Sequence, residues 1–388
     1  MATEPEKNTA APAENAAPHK TGRHIPRRRM MQIIDRMAAT GRSTTAAMET
    51  GLPLPSWDDI LLLGAQLGAF PLPPSAAVST TTIIGGKARK PLTLMHPFFV
   101  SHLSSQVLPA ELKTAMAAGA AAADTAVGSG DGPVSSDVQN AAGQLIYEVT
   151  PDSDVSDTFL QSCGAVEIKI GQATKPGTAV FPGLNDRGDV KKLISSLRDR
   201  ADGRPIGIKI AAGNIEKDVF VCLFAEPDFI TIDGRGGSDG MSPLLAREAF
   251  GVPTIYAIGR AVKRLKNYRN ENVALIVTGG LRTSADIVKA LAMGADAVAL
   301  GSAPLIAAAP DYYRFLQGQN TPACGHAPKK AVIPADAAAR LTRFLRLTGD
   351  EIAAFCRMMG HADIRALSTA DLATVSRDIS DYTEIPHA

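Results

Sequence analysis

The chain has 388 residues, a formal net charge of +1 at pH 7, 45% hydrophobic residues and 5% aromatic ones. That length suits a barrel of roughly 250 residues with additions at both ends, and a balanced charge without a basic stripe makes nucleic acid and acidic membrane surfaces poor partners, leaving a small molecule as the expected ligand. Cys163, Cys222, Cys324 and Cys356 stand singly, without the spacing of structural zinc, an iron–sulfur centre or a disulfide framework, which fits a reducing cytoplasm.

Residues 1–26, rich in Ala, Pro, Glu and Lys, lack an apolar run and read as a disordered tail. Residues 27–91 read as an N-terminal extension. In it, Arg27, Arg28 and Arg29 precede an amphipathic helix over about Met30 to Ala39, whose Met and Ile residues are expected to pack on the body. Ser56-Trp57-Asp58-Asp59 resembles a helix cap leading into Ile60 to Gly64. Thr80 to Ile84, followed by Gly85-Gly86, reads as a hairpin closing one end of a barrel. No stretch reads as membrane-spanning, because the most apolar window, Leu291 to Pro310, is interrupted by Asp296 and several glycines.

Residues 92–310 alternate strand and helix patterns. Strands are predicted near Leu92 to Val100, Asp124 to Val127, Ile146 to Val149, Ala165 to Ile170, Pro205 to Ile210, Phe229 to Asp233, Ala274 to Thr278 and Ala297 to Leu300. Helices between them are predicted at about Pro109 to Ala123, Ser135 to Gln144, Arg187 to Arg200, Ile215 to Phe224, Pro243 to Phe250, Thr254 to Asn267 and Ser284 to Met293. Strands apolar on both faces and joined by helices imply a parallel α/β fold, a (β/α)8 TIM barrel, with an open doubly wound sheet as the alternative. Residues 311–388 read as a helical appendage or oligomer contact: helices at Asp336 to Leu347 and Asp350 to Gly360, then Thr369 capping Ala370 to Val375.

The final repeat suggests a phosphate cradle. Gly279 and Gly280 end one strand, Ser284 is placed to cap the next helix, and Gly301 and Ser302 end the last strand. In such a barrel the loops after strands seven and eight offer backbone N–H groups and a helix dipole to an anion. Strand ends on that side converge on one pocket. A Lys in an apolar strand needs a partner: either an anionic reduced flavin, for Lys169 and Lys209, or a barrel ion pair with Glu167, Asp233 or Asp131. No GxGxxG unit is present to hold a dinucleotide. His102 is the acid–base candidate because it ends strand one, whereas His96, before Pro97, reads as structural.

Five stretches together carry a resemblance: Val166-Glu167-Ile168-Lys169-Ile170-Gly171-Gln172, Lys175-Pro176-Gly177, Ile208-Lys209-Ile210-Ala211-Ala212-Gly213, Asp233-Gly234-Arg235-Gly236-Gly237-Ser238-Asp239-Gly240-Met241-Ser242-Pro243 and Thr278-Gly279-Gly280-Leu281-Arg282. In this order at strand ends they resemble the FMN-binding synthase domain of glutamate synthases, especially the stand-alone archaeal-type subunit, from about Ser56 to the C-terminus. The resemblance implies an FMN barrel in which reduced flavin delivers hydride to an imine of a keto acid. It implies FMN contacts from Ser101, His102, Leu103, Ser104, Ser129, Gln172, Lys209, Asp233, Gly236, Gly237, Gly279, Gly280, Gly301 and Ser302. Asp131 and Lys175 would face the substrate, giving Lys209, Asp131, Lys175 and His102 as catalytic candidates.

The departures are specific. Where the family has a cysteine triad, this chain has Cys324 alone, so no metal cluster is expected. Asp131 stands for a Glu, and His102 for a small residue. The loop from Pro176 to Asp189 is short and lacks the Gln and Arg that hold a keto-acid carboxylate, unless Arg187 substitutes. The expected activity is therefore FMN-dependent oxidation–reduction of an amine, imine or amino-acid-like substrate, with 2-oxoglutarate bound poorly. The alternatives are glutamate synthesis with partner subunits and a non-catalytic flavin-binding scaffold. Without a glutaminase segment here, an electron donor or ammonia-supplying subunit is a possible partner, and a homo-oligomer is expected.

Overall fold

The computed structural model describes residues 27–41, 45–47, 53–175, 177, 180–236, 241–268, 273–318 and 334–388. Eight parallel strands close into a barrel: β1 (Phe98–Val100), β2 (Val127–Gly128), β3 (Leu145–Val149), β4 (Ala165–Lys169), β5 (Ile206–Ala211), β6 (Phe229–Asp233), β7 (Ala274–Thr278) and β8 (Ala297–Leu300). They neighbour one another in chain order, and β8 returns to β1 through the pairing of Val298 with Phe98. Closure excludes the open sheet. The strands are rich in Val and Ile, which suit a pleated surface buried on both sides.

Helices follow the strands: α1 (Ala110–Ala122), α2 (Ser136–Ala141), α3 (Asp157–Ser162), α4 (Arg187–Arg200), α5 (Ile215–Ala225), α6 (Thr254–Tyr268), α7 (Ser284–Ala292) and α8 (Ser302–Ala308). Short polar side chains set their starts: Ser135 accepts from Val138 N–H, Ser156 from Phe159 N–H and Asp186 from Gly188 and Asp189 N–H. The α7 cap is Thr283, one residue before the predicted Ser284; the Ser284 hydroxyl instead donates to Glu351.

The barrel interior has two layers of opposite character. Its N-terminal half is apolar, made by Phe99, Ala126, Ile146, Ala165, Phe229, Ile276, Ala297 and Ala299 and plugged by Ile84, Leu92 and Leu94. The plug is the expected hairpin, with Thr82–Ile84 antiparallel to Leu92–Leu94. The predicted strand Leu92 to Val100 is thus two strands, because Pro97 has no N–H to donate to a continuous ladder. Phe229 lies across the barrel over Gly207, where a Cβ would come within 2.1 Å of its ring. The C-terminal half is polar, and the parallel register puts its groups side by side: Glu148 beside Glu167, Lys169 beside Lys209, and Lys209 beside Thr231.

Other expectations change at the periphery. Ser56 caps only the short 3-10 turn Trp57–Asp59, and Ile60–Leu62 is a strand, antiparallel to Leu372–Thr374. The region after Ser368 is a 3-10 turn entering that strand, not a helix begun at Thr369. The two predicted tail helices are one, α10 (Pro334–Met358), preceded by α9 (Pro310–Gly318). The N-terminal helix is Arg27–Thr40, but Met31 and Ile34 are 62% and 58% exposed rather than packed. Among the described residues no helix is long and apolar enough to cross a membrane.

Candidate functional site

The C-terminal end of the barrel collects the charged strand ends. The loop after β1 begins at Ser101, whose N–H donates to Leu300 O at 2.8 Å, tying the first loop to the last strand. His102 follows, buried at 3% exposure. Its ring occupies the space left by Gly128: a Cβ there would lie 2.7 Å from His102 Cγ. Gly130 N–H donates to His102 Nδ1 at 3.2 Å. Nε2 lies 3.0 Å from Glu167 Oε2, in a bent approach that leaves both atoms short of a linear partner. His102 therefore faces the barrel interior, not the mouth where sequence reasoning placed an acid–base residue.

Buried charges are paired, as their cost requires. Lys209, at 1% exposure, has its Nζ 3.2 Å from Asp233 Oδ2, so the barrel ion pair expected as one alternative is present. Lys169 donates to Glu148 Oε1 at 2.9 Å and lies 3.8 Å from Asp131. Thr231 donates to Glu167 Oε1. Burial by itself raises the Glu167 carboxyl, but the contact with His102, the charge of Lys209 and the Thr231 hydroxyl outweigh it and hold the group below its ordinary value.

Above this layer lies a cavity of about 1230 Å³ lined by Ser104, Ser105, Asp131, Lys169, Gln172 and Lys175, with Tyr147 and Phe159 on its far wall. It exceeds the roughly 300–1,000 Å³ of ordinary small-molecule pockets. Burial pushes the Asp131 carboxyl up, but a hydrogen bond from Ser104 and the charges of Lys169, Lys113 and Lys175 pull it further down. Gln172 and Lys175 sit in one tight turn, exchanging backbone bonds of 3.1 and 2.8 Å around Ala173, whose φ is +46°. Ser129 is buried in the β2 loop, where its Oγ accepts from Glu148 N–H at 2.9 Å, so it braces two strands. Leu103 is buried beside it in the core.

The glycine turns form a second, smaller recess of about 180 Å³, lined by Ser56, Arg235, Gly236, Gly279, Gly280 and Arg282 among others. Gly236 must be glycine because a Cβ would sit 2.3 Å from Gly279 O, and Gly279 and Gly280 have φ of +114° and +79°. The β6 and β7 loops interlock there, backbone on backbone. Gly301 and Ser302 start α8 outside that lining, and at Gly301 a Cβ would meet nothing within 4 Å. Gly237 and Cys324 lie outside the described residues. Arg187 is not a carboxylate clamp: its guanidinium stacks over Phe224 at 4.3 Å, on the outer helix layer.

Sequence reasoning missed Glu148 and Lys113. Glu148 carries a visible signal, a lone charge within Leu-Ile-Tyr-Glu-Val. Lys113 carries none, since it sits on a helix, yet its Nζ donates to Ser129 O at 2.7 Å and to Ser105 Oγ at 2.8 Å.

The chain matches the family model described as the conserved region in glutamate synthase, over residues 65–183 and 179–362. The chain belongs to the glutamate synthase family. A glutamate synthase large subunit-like protein of Rhizobium meliloti is 27% identical, with 92% of each chain covered. An archaeal glutamate synthase [NADPH] of Methanocaldococcus jannaschii is 30% identical over 56% of this chain, and the match spans 49% of that relative's length. Solved structures with the same fold include the flavin-binding domain of baker's yeast flavocytochrome b2, at 15% identity and TM-score 0.55 with 86% and 79% coverage, and an active mutant of (S)-mandelate dehydrogenase, at 15% identity and TM-score 0.54 with 81% and 88% coverage.

Proposed function

We propose that this glutamate synthase family member is an FMN-dependent oxidoreductase acting on a carboxylate-bearing amine or imine in the large cavity. The observation that carries the reading is the meeting of Lys169, Gln172, Lys175 and Asp131 at the barrel mouth, beside interlocked glycine turns with Arg235 and Arg282 at their recess. The residues present fit such a cofactor. The recess offers backbone and guanidinium groups to a phosphate, with Gly236, Gly279 and Gly280 lining it from two strand ends, and Gly301, Ser302 and Ser101, at the ends of β8 and β1, would hold the rest of the cofactor. Bound FMN supplies a hydride acceptor or donor at its ring.

The chain's own residues divide the remaining work. Lys175 and Gln172 hold and orient the substrate carboxylate, with Lys169 adding positive charge from the strand below. Asp131, its carboxyl held down against its burial by the Ser104 hydrogen bond and the charges of three lysines, accepts a proton from the substrate nitrogen in the oxidative direction. Lys209 with Asp233 fixes the polar layer below the cavity, and Ser104, Leu103 and Ser129 would hold the loops that border the cofactor. With Arg187 stacked over Phe224 and no arginine among the described residues lining the cavity, a monocarboxylate or bulkier amino acid is preferred to 2-oxoglutarate. Electrons or ammonia arrive from a partner protein or a soluble donor.

Anaerobic reduction of the FMN-loaded protein, followed by titration with imine or keto acid plus ammonium or an alkylamine, tests the reading. Reoxidation dependent on Lys175 and Asp131 is expected. A flavin whose redox state responds to none of these substrates points instead to the scaffold role.

A further inference from the structure

We propose that His102 is a positioning residue, seated over Gly128 with Glu167 beside it, whose Nδ1 holds the Gly130 N–H and thereby fixes Asp131 at the cavity. The part that concerns Asp131 rests on the functional reading above; the positioning itself does not.

Three observations converge on the ring. Gly128 has no side chain, and the His102 imidazole fills that gap so closely that a Cβ would fall 2.7 Å from the ring. Gly130 N–H donates to Nδ1 at 3.2 Å, so Nδ1 carries a lone pair and the ring's proton sits on Nε2. Nε2 faces Glu167 Oε2 at 3.0 Å, and Glu167 is itself held by Thr231. The order Thr231, Glu167, His102, Gly130 is a file of buried groups leading from the middle of the barrel to the peptide next to Asp131. The Gly130 peptide needs this anchor. Its φ is +68°, and its α-carbon is pressed so close to Leu103 O that a Cβ would sit 2.1 Å away, so the loop has little other freedom once the N–H is held. Two buried carboxylates face the ring, Glu167 at Nε2 and Glu148 Oε2 at 3.7 Å from Nδ1, and the Gly130 N–H, pointing at Nδ1, selects the tautomer.

The same arrangement disfavours a cation among His102, Glu148 and Glu167, whose ligand atoms lie within 4.8 Å of one another. A metal on Nδ1 would face the Gly130 N–H, and a metal on Nε2 would shift the ring proton to Nδ1, against that same donor.

The test uses the FMN-loaded full chain. In the wild type, ¹⁵N spectra of labelled histidine should show His102 protonated at Nε2 and unprotonated at Nδ1. Losing one backbone hydrogen bond should speed amide exchange of the segment carrying Gly130 about tenfold in His102→Leu. His102→Asn, whose Oδ1 can replace Nδ1 as acceptor, should restore protection. Gly128→Ala, whose Cβ would lie 2.7 Å from both the His102 ring and its backbone N, displaces the ring together with the loop after β1, should speed exchange at least as much as His102→Leu, and serves if that variant does not fold. In turnover, the double variant His102→Leu/Asp131→Asn should be no slower than Asp131→Asn alone. A proton on Nδ1, unchanged exchange in both His102→Leu and Gly128→Ala, no rescue by Asn, or multiplicative losses in the double variant would each overturn the proposal. If no amine or imine is turned over by the wild type, the functional reading fails while the spectra and exchange still decide the positioning.

Discussion

Arg187 shows how a single residue's role turns on what its neighbours offer. Beyond the short loop after Lys175 it is the guanidinium in sequence to replace a missing clamp, yet α4 packs on α5 and the group stacks over Phe224. We expect Arg187→Ala to leave substrate affinity unchanged and to cost about 0.5–1 kcal/mol of stability through the lost cation–π contact, read by paired substrate titration and urea unfolding. A weakened keto-acid affinity would return Arg187 to the site. Glu167 yields a pH prediction. Its carboxyl is held below its ordinary value of 4.5 in the folded chain, so its stabilisation is complete above that value and is lost as pH falls through the lower folded one. Glu167→Gln should therefore cost about 1–3 kcal/mol at neutral pH and flatten the acid side of the stability profile. An equal loss at neutral and acid pH would contradict this. Lys209 was legible because a charge in an apolar strand demands a partner, and Asp131 because it lies in a strand-end loop that the resemblance marks. The inward turn of His102 was not, because it depends on the empty space over Gly128, which belongs to another strand.

At the scale of elements, strand periodicity located the barrel well: the predicted spans of β6, β7 and β8 coincide with the observed ones. Where the reading failed, tertiary packing had overridden a local rule. The sequence predicts two tail helices, one ending at Leu347 and the next starting at Asp350, but α10 runs through the gap, and Gly349 within it is glycine because a Cβ would lie 2.3 Å from His96 Nε2. That contact also explains why His96 is structural; its Nδ1 lies 3.0 Å from Thr80 Oγ1. Gly119 plays the same part on α1, where a Cβ would meet Ala338 O at 2.9 Å and Leu341 Cβ at 3.0 Å. Gly119→Val should push α1 and α10 apart and destabilise the protein by about 1–3 kcal/mol. Limited proteolysis should then release α10 first. A variant with wild-type melting and wild-type cleavage would show that this helix crossing tolerates the added bulk.

For the whole molecule, the division of the barrel into an apolar base and a polar upper layer is what ties fold to chemistry. The base supplies burial, and the upper layer carries buried charge pairs, of which Lys169 and Asp131 reach the cavity at the mouth. The family was legible from five stretches in order, because each lies at a strand end where the fold concentrates its ligands. The absence of a cluster is a molecular-scale prediction as well. Burial pushes the Cys163 and Cys222 thiols up to about 12 and that of Cys356 up to about 11, so none of the three supplies a thiolate at neutral pH, and Cys324 alone cannot hold iron and sulfide. Anaerobic protein should contain no stoichiometric iron.

The most direct test of the account is the cofactor itself. Protein loaded with flavin, desalted and denatured by heat should release FMN at about one molecule per chain, as one recess for one phosphate group allows. Gly280→Leu, which drives a side chain from a φ of +79° into the Gly236 backbone, should release none while remaining folded. Release of FAD, failure of the wild-type chain to retain FMN, or full retention by Gly280→Leu would contradict it.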